Sequence, residues 1–193
     1  RFGAPHYTAD KYVGERTNEH YPKHYTLAWP HEQDKQERKL RRSPLYEKLK
    51  TQGACFGEKT GWERALWFAP EGVEPKEEMA WGRPHWHEHV AREVKAIREN
   101  VAILDQTSFG KIEIRGKDAL QVLQRLCTRN MGKPVGTLSY TQMCNKDGGI
   151  ECDITIARIG ENHFYIITGT SFAAHDLDWI NTNIKDDEAC VAF

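Results

Sequence analysis

The sequence predicts an α+β fold made of antiparallel hairpins with flanking helices, and three observations carry that prediction. Segments 137–144, 150–158 and 163–168 alternate apolar and polar residues, the period of a strand with one wet face. Two turn signals separate them, Asn145-Lys-Asp-Gly-Gly149 and Gly160-Glu-Asn162. Around them, apolar residues recur every three or four positions, the spacing of amphipathic helices. From residue 111 onward the order reads β-α-β-β-β-α.

Taken in chain order, residues 1–30 are rich in aromatics and histidine without sustained period. Tyr12, Glu15, Arg16, Glu19, His20 and Lys23 allow a short polar helix there. The run from His31 to Arg42 interleaves both signs of charge around a single apolar residue, which predicts a solvated connection. Ser43-Pro44 then opens a short helix through Leu45 and Leu49, with Ser as cap and Pro at the first helical position. Gly53, Gly57 and Gly61 punctuate the next stretch, where Trp62, Trp67 and Phe68 form an aromatic cluster, and 70–84 reads as a loop.

Val90, Val94, Ile97 and Val101 are spaced four, three and four apart, the stripe of a helix starting near residue 86. Lys111-Ile-Glu-Ile-Arg115 alternates as a strand. Leu120, Leu123 and Leu126 mark a second helix, and the last helix runs from about Phe172 to Ile184. Residues 188–193 read as the start of a strand, and Arg1 is not an initiator; both ends read as cut from a longer protein.

Composition removes several function classes. Lys and Arg total 27 against 28 Asp and Glu, a net charge of -1, without the basic excess that draws a protein to nucleic acid. No apolar run approaches the roughly 18 residues of a membrane span. The five cysteines contain no Cys-x-x-Cys pair, which fits a reducing compartment better than a disulfide framework. Neither Gly-x-Gly-x-x-Gly nor Gly-x-x-x-x-Gly-Lys-Ser/Thr occurs, so a flavin or nicotinamide serving this protein binds outside these residues. His85, His87 and His89 read as histidines at the start of a helix, because successive members point about 200° apart on a helix and offer no common metal.

The strand 150–156 holds the main candidate. Ile150, Cys152, Ile154 and Ile156 fill one face, and Glu151, Asp153 and Thr155 share the other. Alternation alone favours a solvated face; the functional account is that this face lines a pocket, with Asp153 available to hold a cation or take a proton. Tyr140, 13 residues earlier on the partner strand, is placed to flank such a site.

Leu104-Asp-Gln-Thr-Ser-Phe-Gly-Lys111, Ile114-Arg-Gly-Lys-Asp-Ala119, Tyr140-Thr-Gln-Met143 and Asn145-Lys-Asp-Gly-Gly-Ile-Glu-Cys-Asp153 resemble the folate-binding domain of the glycine cleavage T-protein (aminomethyltransferase) family. Arg41-Arg-Ser-Pro-Leu-Tyr46, Gly53-Ala-Cys-Phe-Gly-Glu58 and Gly61-Trp-Glu-Arg64 with Trp67-Phe68 resemble the branch fused to a flavin dehydrogenase, which includes dimethylglycine dehydrogenase, sarcosine dehydrogenase and the regulatory subunit of pyruvate dehydrogenase phosphatase. The resemblance implies a short central domain over 1–57, following an FAD domain that is absent, and the N-terminal part of the folate domain over 58–193. It implies tetrahydrofolate as cofactor, Asp153 as the catalytic carboxylate beside the folate nitrogens, and Tyr140 and Phe109 as folate contacts. Phe109 departs from the methionine that T-proteins carry there.

The function so implied is oxidation of a dimethylglycine- or sarcosine-like N-methylamine by the flavin domain, with the carbon captured as 5,10-methylenetetrahydrofolate. The alternative is a non-catalytic regulatory subunit of the same architecture. The expected partners are a small-molecule substrate, folate and the rest of the same polypeptide, not nucleic acid or a membrane; the expected location is the bacterial cytoplasm or the mitochondrial matrix. Residues 1–193 alone are expected to expose an unpaired sheet edge, to bind neither flavin nor folate usefully and to be only marginally stable.

Overall fold

A computed structural model describes residues 9–185 and 189–193 and divides the chain into two compact units, Arg1–Ser108 and Phe109–Phe193. The segment at Arg1-Phe2 and the Glu188 end of the expected last strand lie outside the described residues.

In the first unit, helix α1 (Asp10–Lys23) is polar and buries one residue, Arg16. The guanidinium of Arg16 pairs with Asp34 and with Glu58. Arg38 grips Glu63 with two bonds, Nε to Oε1 at 2.8 Å and a terminal nitrogen to Oε2 at 2.6 Å. Glu19 accepts the backbone N–H groups of Lys35 and Gln36, both at 2.8 Å. The charge run 31–42 is therefore not the solvated connection its composition predicts. It folds back between α1 and a hairpin, because charges distant in sequence meet its own: Arg16 meets Asp34, and Glu63 meets Arg38.

That hairpin joins strand β1 (Ala54–Lys59) to strand β2 (Trp62–Phe68) through Thr60 and Gly61, both at positive φ (52° and 81°). Two such residues make the turn whose twist matches paired strands. A bulge between Cys55 and Phe56 interrupts the pairing, so the stretch reads as an aromatic cluster rather than as two alternating strands. Helix α2 (Tyr46–Thr51) starts two residues past Pro44. Ser43 closes the preceding turn instead of capping the helix, its Oγ accepting the Leu45 N–H at 3.1 Å. Helix α3 (His87–Glu99) sets Trp86 and Val90 against buried Trp67. The rest of its stripe stays open: Val94, Ile97 and Val101 are exposed.

The second unit is a five-stranded antiparallel sheet. Strand β3 (Gly110–Arg115) precedes helix α4 (Ala119–Leu126), strands β4 (Leu138–Cys144), β5 (Ile150–Gly160) and β6 (His163–Thr168), helix α5 (Ala173–Asn183) and the short strand β7 (Val191–Ala192). This is the predicted order, and in space it becomes β4-β5-β6-β3-β7. Both helices cover one face. Ala119 and Leu123 from α4 and Ile180 from α5 join Ile112, Ile114, Ile154, Ile156, Phe164 and Ile166 in a closed apolar layer. Because side chains alternate along a strand, the other face carries Tyr140, Gln142, Asp153 and Thr155. Among the described residues no helix is long and apolar enough to cross a membrane.

Candidate functional site

The β4–β5 hairpin positions the candidate residues. Its turn is tied by Asn145, whose Oδ1 accepts the N–H groups of Asp147 and Gly149 at 3.1 and 2.9 Å. Gly148 sits at φ 83°, a conformation that a side chain disfavours. With the turn set, Gln142 stands opposite Asp153 and Tyr140 opposite Thr155. These four residues share the face turned away from the helices.

Tyr140 and Asp153 come together as their spacing predicts. The neighbouring Asp153 carboxylate is the main reason the Tyr140 hydroxyl is held above its ordinary pKa. A third member was missed from sequence: Gln142 Nε2 donates to Asp153 Oδ1 at 3.0 Å. Its signal was available, since a residue two positions from Tyr140 shares its face. The carboxylate is thus aimed by an amide, with a phenol beside it. Tyr140 is 58% exposed, so the group is reachable by a ligand.

Phe109, half-buried, precedes β3. The ladder pairs Thr155 with Ile167 and Gly110 with Thr168. Phe109 and Gly169 each lie one residue beyond this last pair, and Asp153 lies two residues before Thr155 on the neighbouring strand. Beside Gly169 stands a residue the sequence did not single out: the Phe172 ring lies 3.0 Å from where a Cβ on Gly169 would be. A side chain at Gly169 would press on that ring, which is itself 60% exposed. Carboxylate, phenol and amide therefore stand on β4 and β5, and the two phenylalanines lie by the start of β3 and the end of β6. Such a surface suits a flat heteroaromatic ring bearing N–H groups at one edge.

His85 and His89 sit at the start of α3, as expected, and use their rings on Trp67. His85 meets it edge-on at 5.3 Å and His89 stacks at 5.3 Å.

Comparison with known proteins agrees with the fold and with the resemblance. Residues 45–193 match the GCVT N-terminal domain and residues 1–43 the FAD dependent oxidoreductase central domain. A 4-methylaminobutanoate oxidase (formaldehyde-forming) from Paenarthrobacter nicotinovorans is 39% identical over 163 residues, covering 84% of this chain and 20% of that protein. Human mitochondrial sarcosine dehydrogenase is 30% identical over 216 residues, 93% of this chain and 24% of that protein. The mouse mitochondrial pyruvate dehydrogenase phosphatase regulatory subunit is 35% identical over 192 residues, 97% of this chain and 22% of that protein. The chain thus spans between a fifth and a quarter of the length of these relatives. Among solved structures, the glycine cleavage system aminomethyltransferase T from Bartonella henselae superposes with a TM-score of 0.64 at 21% identity, over 80% of this chain and 38% of that one. With most of its length matched and the antiparallel sheet shared, the chain belongs to the glycine cleavage T-protein family, in the branch where the GCVT domain follows an FAD-dependent oxidoreductase central domain.

Proposed function

We propose that this chain is the folate-binding portion of an FAD-dependent N-methylamine dehydrogenase, with Asp153 as its catalytic carboxylate. The observation supporting this reading is the convergence of Tyr140, Gln142 and Asp153 on one open face of the sheet. The residues fit a reduced pterin: a carboxylate to accept from ring N–H groups, and Phe109 and Phe172 to lie against its flat face. Bound tetrahydrofolate would supply the nitrogen nucleophiles that take up a one-carbon unit, giving 5,10-methylenetetrahydrofolate. FAD belongs to a domain outside this chain, and no residue here is assigned to it.

The role of the protein groups follows from their charges. Asp153 accepts the proton leaving a folate nitrogen, and its negative charge favours an incoming cationic carbon electrophile, most strongly where water is excluded. Gln142 keeps the carboxylate aimed, and Tyr140 borders the ring. We place the whole protein in the bacterial cytoplasm or the mitochondrial matrix, where relatives carrying the same domains are named as mitochondrial.

The test uses the protein at its natural length, carrying Asp153→Asn. Methylenetetrahydrofolate formation should fall by about 10²–10⁴-fold, the usual worth of a positioned base, while amine oxidation continues. Because one relative is named formaldehyde-forming, released formaldehyde is assayed alongside and should rise as capture fails. An unchanged yield of methylenetetrahydrofolate, with folate bound, sinks the assignment of Asp153.

One observation favours a second reading: the 35% identical relative that covers 97% of this chain is named as a phosphatase regulatory subunit. A titration with tetrahydrofolate separates the two. Absence of binding, together with co-purification of a phosphatase, selects the regulator.

A further inference from the structure

Behind the candidate folate face, on the side covered by helices, polar groups gather where the apolar layer would otherwise continue. Cys152 on β5 and Asp176 in the first turn of α5 are each 1% exposed. His175 stands beside them with its side chain half open to solvent. One ligand atom from each of the three lies within 4.8 Å of the others. Thr168 at the end of β6 donates its hydroxyl to Asp176 Oδ2. The second oxygen, Oδ1, faces His175 Nδ1 at 3.0 Å. The far nitrogen of the ring, Nε2, faces Glu151 Oε2 at 3.4 Å.

Charge does not balance in this cluster. Two carboxylates, one of them buried, converge on a single imidazole, and among the described residues no lysine or arginine pairs with either. Buried carboxylates are usually paired or coordinate a metal, and here one half-exposed imidazole stands against two carboxylates. The arrangement around His175 also has a recognisable logic. Ligating histidines generally donate their other ring N–H to a carboxylate, which fixes tautomer and orientation. Glu151 stands where that partner belongs, on the ring nitrogen away from Cys152 and Asp176.

We propose that Cys152 Sγ, His175 Nδ1 and Asp176 Oδ1 form a divalent-metal site selective for zinc, with Glu151 orienting His175 and a fourth position open on the exposed side. Sulfur, nitrogen and oxygen donors together suit a borderline-soft ion with tetrahedral preference, and exclude the all-oxygen shell sought by calcium or magnesium. Without metal, the Cys152 thiol is held protonated by burial and by its bond to Asp176. Binding exchanges that proton for the cation: the S–H bond breaks, an S–metal bond forms, the proton leaves to solvent, and no oxidation state changes. The ligands are separate from the folate reading, because Cys152 and Asp153 are consecutive on a strand and point to opposite faces, while Glu151, left unpaired at the register shift beside Cys144, departs from the regular alternation and reaches His175.

Cobalt(II) titration of the chelator-treated protein at natural length tests the site. The expected result is one cobalt per chain with a thiolate-to-cobalt charge-transfer band and intense tetrahedral d–d bands, both displaced by zinc. His175→Gln should abolish these bands, and Glu151→Gln should weaken metal affinity by about 10–100-fold. Cys152→Ser should remove the charge-transfer band; because Cys152 is buried, the half-exposed His175 carries the test if that variant fails to fold. Weak octahedral spectra, absence of the charge-transfer band in the parent protein, or bands retained in His175→Gln overturn the proposal.

Discussion

The two units of the chain are held together by different forces. In Phe109–Phe193 a sheet and two helices close over a continuous apolar layer with Ile114, Leu123, Phe164, Ile166 and Ile180 fully buried. In Arg1–Ser108 the buried apolar cluster is small, Cys55, Trp67 and Ala69 with Trp86 and Val90 against it. There the chain is instead tied by charge: Arg16 to Asp34 and Glu58, Arg38 to Glu63, and Lys23 to Glu32 and Asp34 at 3.2 and 3.3 Å. The difference teaches that burial does not require apolar residues where each buried charge finds a partner. Glu63, 6% exposed, is tolerated because Arg38 holds it with two bonds and the Lys39 N–H adds a third at 2.8 Å.

This contrast can be broken from either side. The largest effect is expected at the apolar layer. Phe164→Ala should destabilise the second unit by about 3–5 kcal/mol, the cost of lost burial plus a cavity. Hydrogen exchange should show the protection of β3, β5 and β6 falling while the hairpin β1–β2 keeps its own.

Arg38→Met should destabilise the first unit by about 2–3 kcal/mol, because Glu63 is left without its guanidinium in a nearly closed site. The double variant Arg38→Met with Glu63→Leu should recover most of that loss. Chemical unfolding followed by tryptophan fluorescence checks both, since all the tryptophans except Trp179 lie in this unit. A single variant as stable as the parent would show that charge does not hold this unit.

Acid should separate the units further. Burial alone would raise Asp34, but hydrogen bonds from His20 and Lys23 and the charge of Arg16 outweigh it and leave the carboxyl below its usual range. Glu19 is likewise lowered, burial being outweighed by the N–H groups of Gln36 and Lys35 and by Lys23. A carboxylate depressed on folding adds stability that is complete above its unfolded pKa, about 4, and is lost as pH falls through the folded value. The first unit should therefore lose protection below about pH 4 while the apolar layer of the second persists. In the second unit Glu113 is also lowered, chiefly by His163, but it lies at the surface and adds little. Hydrogen exchange across this pH range checks the order, and simultaneous loss in both units would contradict it.

The smallest effect on stability is expected at the candidate site. Tyr140→Phe on its open face should change unfolding by less than about 0.5 kcal/mol. Tetrahydrofolate affinity should nevertheless fall by about 5–10-fold, the worth of roughly one ordinary hydrogen bond. Calorimetric titration beside thermal unfolding separates the two quantities. A large stability loss would mean that this face is structural rather than a binding surface.

How much was legible in advance follows the same division. Alternation in 150–156 and the Asn145–Gly149 turn told which face Asp153 occupies, and the spacing to Tyr140 told that the two meet, because strand period and tight-turn chemistry are local properties. The hairpin β1–β2 was not legible: a bulge at Cys55 and Phe56 breaks its period, and Thr60-Gly61 lacks the usual Asn-Gly or Asp-Gly signal. Gln142 was readable in principle from its place two residues past Tyr140.

By itself the sequence determined the α+β class, the order of elements in the second unit, the face shared by Tyr140 and Asp153, and the family motifs. Only the tertiary structure decided which charges pair, and that Glu151, Cys152, Thr168, His175 and Asp176 gather at one place. The reason is the range of the forces. Backbone periodicity and turn conformations are imposed by neighbours a few residues away, so they leave a pattern in the text. An ion pair such as Arg38 with Glu63, 25 residues apart, has no period. Its partners are chosen by where the folded backbone carries them.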